Sequence, residues 1–423
     1  MNVSWTKCKN VLFSAVLSVG VLLGGTLLPA DRAYADDFID EIDGMYQRLY
    51  EHYSNQYKDD YNRASKEYDW LIAITSGERE RLEQAADADL RYLLDLFNED
   101  FKQLDDKYGN QRDYRDKLTE YRRAINPDYS SGPMWEYNKE INKNYSSRSH
   151  WKLKNEINPD YSSSTMWNYR NTTNPNYSSS TMWNYRNDMN PNYSSGLMWE
   201  LKNESNPHYS SGTMWNYRQG NLTLADARKK MDEILTKGAE ELQEARDKAM
   251  TDVTKTRKKT VDTLFELRDE TLDIFQSTRA KSLKEILSIR ERHFGGTLDV
   301  KPLVIGFDPI KVLIDKKLLS FEQPPVLIDG NTLVPMRAIF EQLGAKIEWN
   351  QEEYSVTATK GNTTIYLKIG DKQAKRNGET INLEVPAQLV QSNTMVPVRF
   401  ISESLGAHVE WDDMTKTVVI ETK

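Results

Sequence analysis

The phrase NPNYSSSTMWNYRND spans residues 174–188 and returns in altered form every sixteen residues. Trp135, Trp151, Trp167, Trp183, Trp199 and Trp215 keep that spacing without a slip. Six copies fill residues 126–221, each reading loosely Asn-Pro-x-Tyr-Ser-Ser-x-x-Met-Trp-x-Tyr/Leu-Arg/Lys-Asn. The second copy is worn, with Lys143 in place of the proline and His150 in place of the methionine. Asn-Pro opens a turn, and Ser-Ser offers a helix N-cap. Pro133 suits the first turn of a helix. Met134, Tyr137 and Ile141 then fall at i, i+3 and i+7, as do His150, Leu153 and Ile157, and Met182, Tyr185 and Met189. That spacing predicts one short helix per copy. The alternative is a strand, because Thr181, Trp183 and Tyr185 alternate.

A helix this short does not stand alone in water. The copies must stack as an array of repeat units, and their core must come largely from Trp, Tyr and Met because aliphatic residues are few. Met and the second Tyr or Leu are expected inward, with Trp half exposed. The segment holds nine basic and eight acidic residues, close to neutrality, which argues against phosphate tracking by the interleaved aromatics. The candidate binding surface is the six tryptophans together with Tyr129, Tyr161, Tyr177, Tyr193 and Tyr209.

Helical segments flank the repeats. In residues 36–125, Tyr46, Tyr50, Tyr53, Tyr57 and Tyr61 form one stripe, read as a packing seam rather than a ligand surface. Ser76-Gly77-Glu78 is expected to break the helix, with Ser76 capping the next one. Residues 222–296 read as a long helix, opened by a capping box at Thr223 and Asp226. Leu235, Ala239, Leu242, Ala245, Ala249 and Val253 stand at heptad-like positions, and charge covers the other faces, as in a solvated coiled coil. A bundle is expected in which the earlier helices fold back along the long one, with the repeats projecting from the join.

The N-terminus reads as a signal peptide over residues 1–35. Lys7 and Lys9 precede an apolar run over residues 11–28, and Ala33-Tyr34-Ala35 has the small-x-small form of a cleavage site. A retained membrane anchor is the alternative. Cleavage predicts a mature chain that starts at Asp36, lacks the single cysteine, Cys8, and has no membrane span. Packing alone would then hold it together. The net charge of −8 over 423 residues, with both signs mixed, gives no nucleic-acid footprint.

Residues 297–423 change to short alternating runs of β type. TLVPMRAIFEQLGAKIEW at 332–349 returns as TMVPVRFISESLGAHVEW at 394–411, an offset of 62. Each copy reads as a strand, a short helix closed by Gly344 or Gly406, and a further strand, so an α+β domain with duplicated halves is expected. Arg337 and Arg399 read as structural hydrogen-bonding anchors. The doubled V-P-x-R…L-G-A-x-V/I-E-W pattern resembles the copper amine oxidase N-terminal-like family, the stalk domain, over roughly the last quarter of the chain. That resemblance implies a secreted protein of a Gram-positive bacterium. It also implies a non-catalytic module of small antiparallel sheet wrapped on helix, and it does not imply copper or oxidation.

A catalytic reading fails on the residues. Thr173-Asn174-Pro175-Asn176-Tyr177 imitates the start of a quinone-forming Thr-x-x-Asn-Tyr-Asp/Glu motif, but Ser178 takes the acidic position. His52, His150, His208, His293 and His408 are scattered, with no His-x-His pair. No phosphate loop, G-x-S-x-G elbow or H-E-x-x-H helix is present. No enzymatic activity, metal or cofactor is therefore expected. The leading reading is a secreted cell-surface protein with a helical spacer, an aromatic adhesive surface and a stalk docking domain. The alternative is an envelope glycan-binding module that stacks sugars on the repeat Trp and Tyr. A cell-wall glycan, an envelope protein or self-association through the helices are the expected partnerships.

Overall fold

The structure is a computed structural model that describes residues 31–391 and 393–422. The export segment and its anchor alternative fall outside the described residues, apart from the backbone of the last few positions. No described helix is long and apolar enough to cross a membrane. The chain divides into two compact units, residues 31–54 with 188–242, and residues 55–187 with 243–422.

Two long helices contribute to both units, α1 (Asp31–Tyr108) and α9 (Leu224–Phe294). Between them lie α2 (Arg115–Ile125) and six short helices, α3 (Pro133–Ile141), α4 (Ser149–Ile157), α5 (Thr165–Thr173), α6 (Thr181–Asp188), α7 (Leu197–Ser205) and α8 (Thr213–Arg218). Helix α1 runs unbroken through Ser76-Gly77-Glu78, which corrects the expected break. Gly77 is there for close approach: a Cβ would sit 2.7 Å from Leu318 Cβ.

In the larger unit the two long helices run in the same direction. Arg257, Arg268, Arg279 and Arg290 of α9 face Glu67, Glu78, Asp89 and Asp100 of α1, each pair 190 residues apart. A constant difference in residue number means parallel helices, so the fold-back expectation is corrected. Of the heptad-like positions, Leu235, Leu242, Ala249 and Val253 are buried, and a longer period also runs through the two helices. Leu71, Leu82, Leu93 and Leu104 are buried on α1, and Val253, Leu264, Phe275 and Ile286 on α9, at eleven-residue steps. Eleven residues make three turns of nearly straight helix, so one face stays aligned without strong supercoiling.

The repeat helices of this unit do not project. They descend along the groove between α1 and α9. Tyr121 bonds Asp100 at 2.8 Å, Tyr137 bonds Asp89 at 2.8 Å, and Tyr185 bonds Asp60 at 3.0 Å. From Tyr121 to Tyr137 the chain moves on sixteen residues, while its partner moves back eleven, from Asp100 to Asp89. Eleven helical residues rise about 16 Å, and this is the length that one copy covers. Met134, Met166 and Met182 fill the core between these contacts, with Tyr137, Leu153, Tyr169 and Tyr185, all fully or almost fully buried.

Each copy is built by a compact double turn. In the copy that opens at Asn158, Asp160 N donates to Asn158 Oδ1 at 3.0 Å, and Ser164 N to Tyr161 O at 3.0 Å. Ser163 takes φ 71°, as do Ser131, Ser147 and Ser179 within a few degrees. The N-cap is therefore the residue after Ser-Ser, a shift from the expected position. Ser164 and Ser180 accept from Trp167 N and Trp183 N, both at 3.0 Å. A glutamate of the preceding copy also holds the helix start: Glu140 accepts from Ser149 N at 2.9 Å and Glu156 from Thr165 N at 2.8 Å. Each link satisfies an orphan N–H of the first helical turn and joins consecutive copies.

The C-terminal domain belongs to the same unit. Its strands form three sheets, with helix α10 (Met336–Gln342) following β4 (Asn331–Pro335) and α11 (Val398–Ser404) following β11 (Asn393–Pro397). One sheet has the order β12 (His408–Asp412), β13 (Thr417–Glu421), β1 (Lys311–Ile314), β2 (Lys317–Leu318), with β1 parallel to β13. A second, β10 (Gln388–Val390), β11 (Asn393–Pro397), β4 (Asn331–Pro335), β3 (Val326–Ile328), joins the duplicated hairpins. The third runs β5 (Lys346–Asn350), β6 (Ser355–Lys360), β7 (Thr363–Lys368), β8 (Gln373–Arg376), β9 (Glu379–Asn382). Val334 and Ile339 share a buried core with Val396 and Ile401, their equivalents at the offset of 62.

The smaller unit repeats the pattern over its own residues. Arg228 bonds both oxygens of Glu41, and Tyr53 bonds Ala239 O at 2.7 Å, so α1 and α9 again lie parallel. Leu201 of α7 packs where Gly238 lacks a side chain, since a Cβ there would meet Leu201 Cδ2 at 2.4 Å. Glu204 caps Thr213 N at 2.8 Å. Tyr46 and Tyr50 stack within this unit, and Tyr57 and Tyr61 within the larger one.

Candidate functional site

Two sets of groups recur along the repeats, one buried and one exposed. The buried set is a ladder. At its clearest rung, Arg279 Nε and Nη2 lie 2.7 and 2.8 Å from the Asp89 oxygens, and Tyr137 OH donates to the same carboxylate. Burial pushes the Tyr137 phenol far above its ordinary range, and the neighbouring Asp89 charge adds to this. Tyr121 and Tyr185 are raised too, through burial and then through Asp100 and Asp60.

In the larger unit two rungs lack a phenol bond, and both are taken up by the C-terminal domain. Leu153 replaces tyrosine beside Glu78 and Arg268, and there Lys311 Nζ approaches Glu78 at 3.6 Å. Burial lowers the Lys311 pKa. One rung further, Arg257 Nη2 turns to Asp412 at 2.6 Å and leaves Glu67 at 3.5 Å. Tyr169 OH is buried there without a partner. Around these two rungs the domain seats Leu313 and Val419 on Trp70 and Ile74, and Lys316 and Asp308 pair with Asp69 and Arg81.

The exposed set is an aromatic row. All six repeat tryptophans are half-buried. Tyr129, Tyr161, Tyr177, Tyr193 and Tyr209 are 36–45% exposed, and Tyr145, which sequence reasoning passed over in the worn copy, matches them at 42%. In four copies the tryptophan meets the tyrosine ten residues on. Trp135–Tyr145, Trp151–Tyr161 and Trp167–Tyr177 have centroids 6.1–6.4 Å apart and interplanar angles of 79–90°. In the smaller unit Trp199–Tyr209 has the same geometry. The indole edge thus fixes the phenol ring and leaves much of it open.

A polar pair stands beside Tyr145, Tyr161, Tyr177, Tyr193 and Tyr209. Asp160 precedes Tyr161 and bonds Arg170 at 2.6 Å, and Asn176 precedes Tyr177 and bonds Arg186 at 2.8 Å. Asn144 with Lys154, Asn192 with Lys202 and His208 with Arg218 repeat the arrangement. The ten-residue spacing of these pairs was readable in the sequence. Four buried amide donors, Asn155, Asn171, Asn187 and Asn203 Nδ2, recur four residues after tryptophan without an acceptor. In the first copy that position is Lys139, whose Nζ lies 3.7 Å from the Trp135 ring centroid.

The row holds no reacting constellation. Tyr177 is exposed beside Ser178, and no group of three His, Cys, Asp or Glu among the described residues is placed to hold a metal. These residues do not fit a copper site. Arg399 donates to Val409 O at 3.2 Å and to Glu403, an internal brace of the domain, while Arg337 is exposed.

Comparison with known proteins bears on the C-terminal domain. A protease inhibitor from Brevibacillus choshinensis is 32% identical over 117 residues, 27% of this chain and 36% of that protein. The chain therefore spans about a third of the length of this curated relative. Residues 313–420, from β1 to β13 with both duplicated halves between them, match the family described as Copper amine oxidase N-terminal domain, a non-catalytic domain.

Proposed function

We propose that the chain is an exported, non-enzymatic cell-envelope protein of a Gram-positive bacterium that works by adhesion and spacing. The observation that carries this reading is the recurrence of open tyrosines, four of them (Tyr145, Tyr161, Tyr177 and Tyr209) held by a tryptophan edge, above a buried core of the repeat helices. Monomers seldom leave aromatic surface exposed in a regular row without a use for it. Within the larger unit the buried ladder holds the copies in register, and the docked C-terminal domain supplies a second surface for attachment to the envelope. The N-terminal segment directs export.

The test is fractionation of the producing cell, followed by retention of the purified chain on isolated wall material. Recovery from the envelope fraction, with a mature start at Asp36, supports the proposal. A cytosolic chain that does not bind wall material overturns it. Copper-incubated protein is expected to form no quinone at Tyr177. The named relative also motivates a control with proteases, in which inhibition confined to residues 297–423 assigns that property to the docked domain.

A further inference from the structure

The polar pairs beside the tyrosines say more about what the row accepts, and this inference rests on the adhesive reading above. We infer that each junction between copies is one subsite for a saccharide ring, and that the row binds an extended, uncharged, hydroxyl-rich glycan. Tyr161 illustrates the subsite. Its ring is held at one edge by Trp151 and is 43% exposed. Asp160 and Arg170 lie next to it, bonded to each other at 2.6 Å. An open aromatic face takes the C–H side of a pyranose, and an adjoining carboxylate and guanidinium accept from and donate to its hydroxyls.

Three features select this ligand over others. The charges cancel at Asp160–Arg170, each of the other four pairs carries a single cation bonded to an amide or imidazole, and the repeat segment as a whole is nearly neutral, so a polyanion meets isolated cations and no basic tract. Within the larger unit the subsites recur about every 16 Å, which suits a polymer that touches several and not a small molecule that touches one. Each subsite supplies both donors and acceptors, as a chain of hydroxyls requires. A proline-rich peptide offers only carbonyl acceptors and would leave Asp160 unused.

The experiment uses the full mature chain and a soluble hexamer of β-1,4-linked N-acetylglucosamine, titrated by calorimetry with and without 0.5 M salt. Tyr161→Ala, Tyr177→Ala and Tyr209→Ala are made singly and together, and melting checks that each variant is folded. Each single change is expected to weaken binding about two- to tenfold. The triple variant should lose most of the affinity, and salt should have little effect. Retention on wall material is measured in parallel. No hexamer binding, or unchanged binding by the folded triple variant, overturns the subsite assignment. If the wild-type chain is still retained on wall material, the adhesive reading stands without it, and if neither probe binds, both fall. Stronger binding to a polyglutamate or a proline-rich peptide than to the hexamer also overturns the inference.

Discussion

Arg279 grips Asp89 at 2.7 and 2.8 Å across 190 residues of chain, the same separation that divides Arg290 from Asp100 and Arg268 from Glu78. With side chains 9% and 6% exposed, the Arg279–Asp89 pair is cut off from water. A buried ion pair is weak evidence of net stability, but a half-pair is strongly unfavourable. It also rewards a single alignment of α1 with α9, because any slip strands several charges at once.

Replacing Arg279 by Leu should therefore cost about 3–5 kcal/mol in guanidinium unfolding. Combining it with Asp89→Leu should recover much of that loss. Tyr137→Phe, which removes one bond to the carboxylate, should cost about 1.5–3 kcal/mol. An unchanged midpoint for Arg279→Leu would show that the ladder does not hold the helices in register.

The match of sixteen repeat residues to eleven helix residues makes a second prediction. Deleting residues 142–157 removes one copy and should disrupt packing, since every later copy meets the wrong rung. Deleting residues 84–94 and 274–284 as well restores the register. The triply shortened chain should melt cooperatively, near the parent, whereas the single deletion should not. Circular dichroism against temperature separates the two outcomes.

His150 carries a third. It replaces the buried methionine of other copies, its Nδ1 lies 2.6 Å from Ile141 O, and its Nε2 is buried without a partner. Burial lowers its pKa below the ordinary 6.5, although the Ile141 carbonyl and Glu83 oppose the shift and Arg79 and Lys143 add to it. The unfolded chain then binds the proton first, so stability present above pH 6.5 falls as pH falls below it. The loss is at most about 1.4 kcal/mol per pH unit. His150→Met should remove this slope and leave stability near pH 8 little changed, as read by denaturation at pH 5, 6 and 8. Equal slopes in the two proteins would count against it.

The fourth concerns docking of the C-terminal domain. Arg257 and Asp412 are both buried and 2.6 Å apart. Asp412 also accepts from Thr415 Oγ1 at 2.6 Å, so Asp412→Ala disturbs the domain itself. Arg257→Leu tests the contact from the helix side. Faster hydrogen exchange around Trp70 and in β1 and β13, with the third sheet unchanged, is the expected result. Unaltered exchange would mean that the apolar contacts of Leu313 and Val419 hold the domain without the ion pair.

Much of the local structure was legible in residue spacing. Met182, Tyr185 and Met189 recur on one helical face, and they are the side chains that become buried. Thr223 caps the helix as expected, with Asp226 N donating to Thr223 Oγ1 at 3.1 Å, while the Asp226 carboxylate accepts from the Thr223 hydroxyl at 2.7 Å. The doubled C-terminal pattern pointed to the family that residues 313–420 match. The eleven-residue spacing of Glu67, Glu78, Asp89 and Asp100 was also there to be read. It was hidden because acidic and basic residues crowd every face of both helices, and charge alone does not tell a buried partner from a solvated one.

The sequence by itself determined which segments are helical, where the copies begin, and that two similar halves form the C-terminal domain. These depend on contacts within a few residues, and periodicity records them. Tertiary structure decided that α1 and α9 run parallel, that the repeats lie in the groove between them within the larger unit, and that Gly77 marks close approach to Leu318 instead of a break. It also decided which aromatic ring of each copy stays open. Direction and partner choice are set by groups far apart in the chain, Arg279 and Asp89 among them, and no local pattern distinguishes two helices that meet head to head from two that meet head to tail.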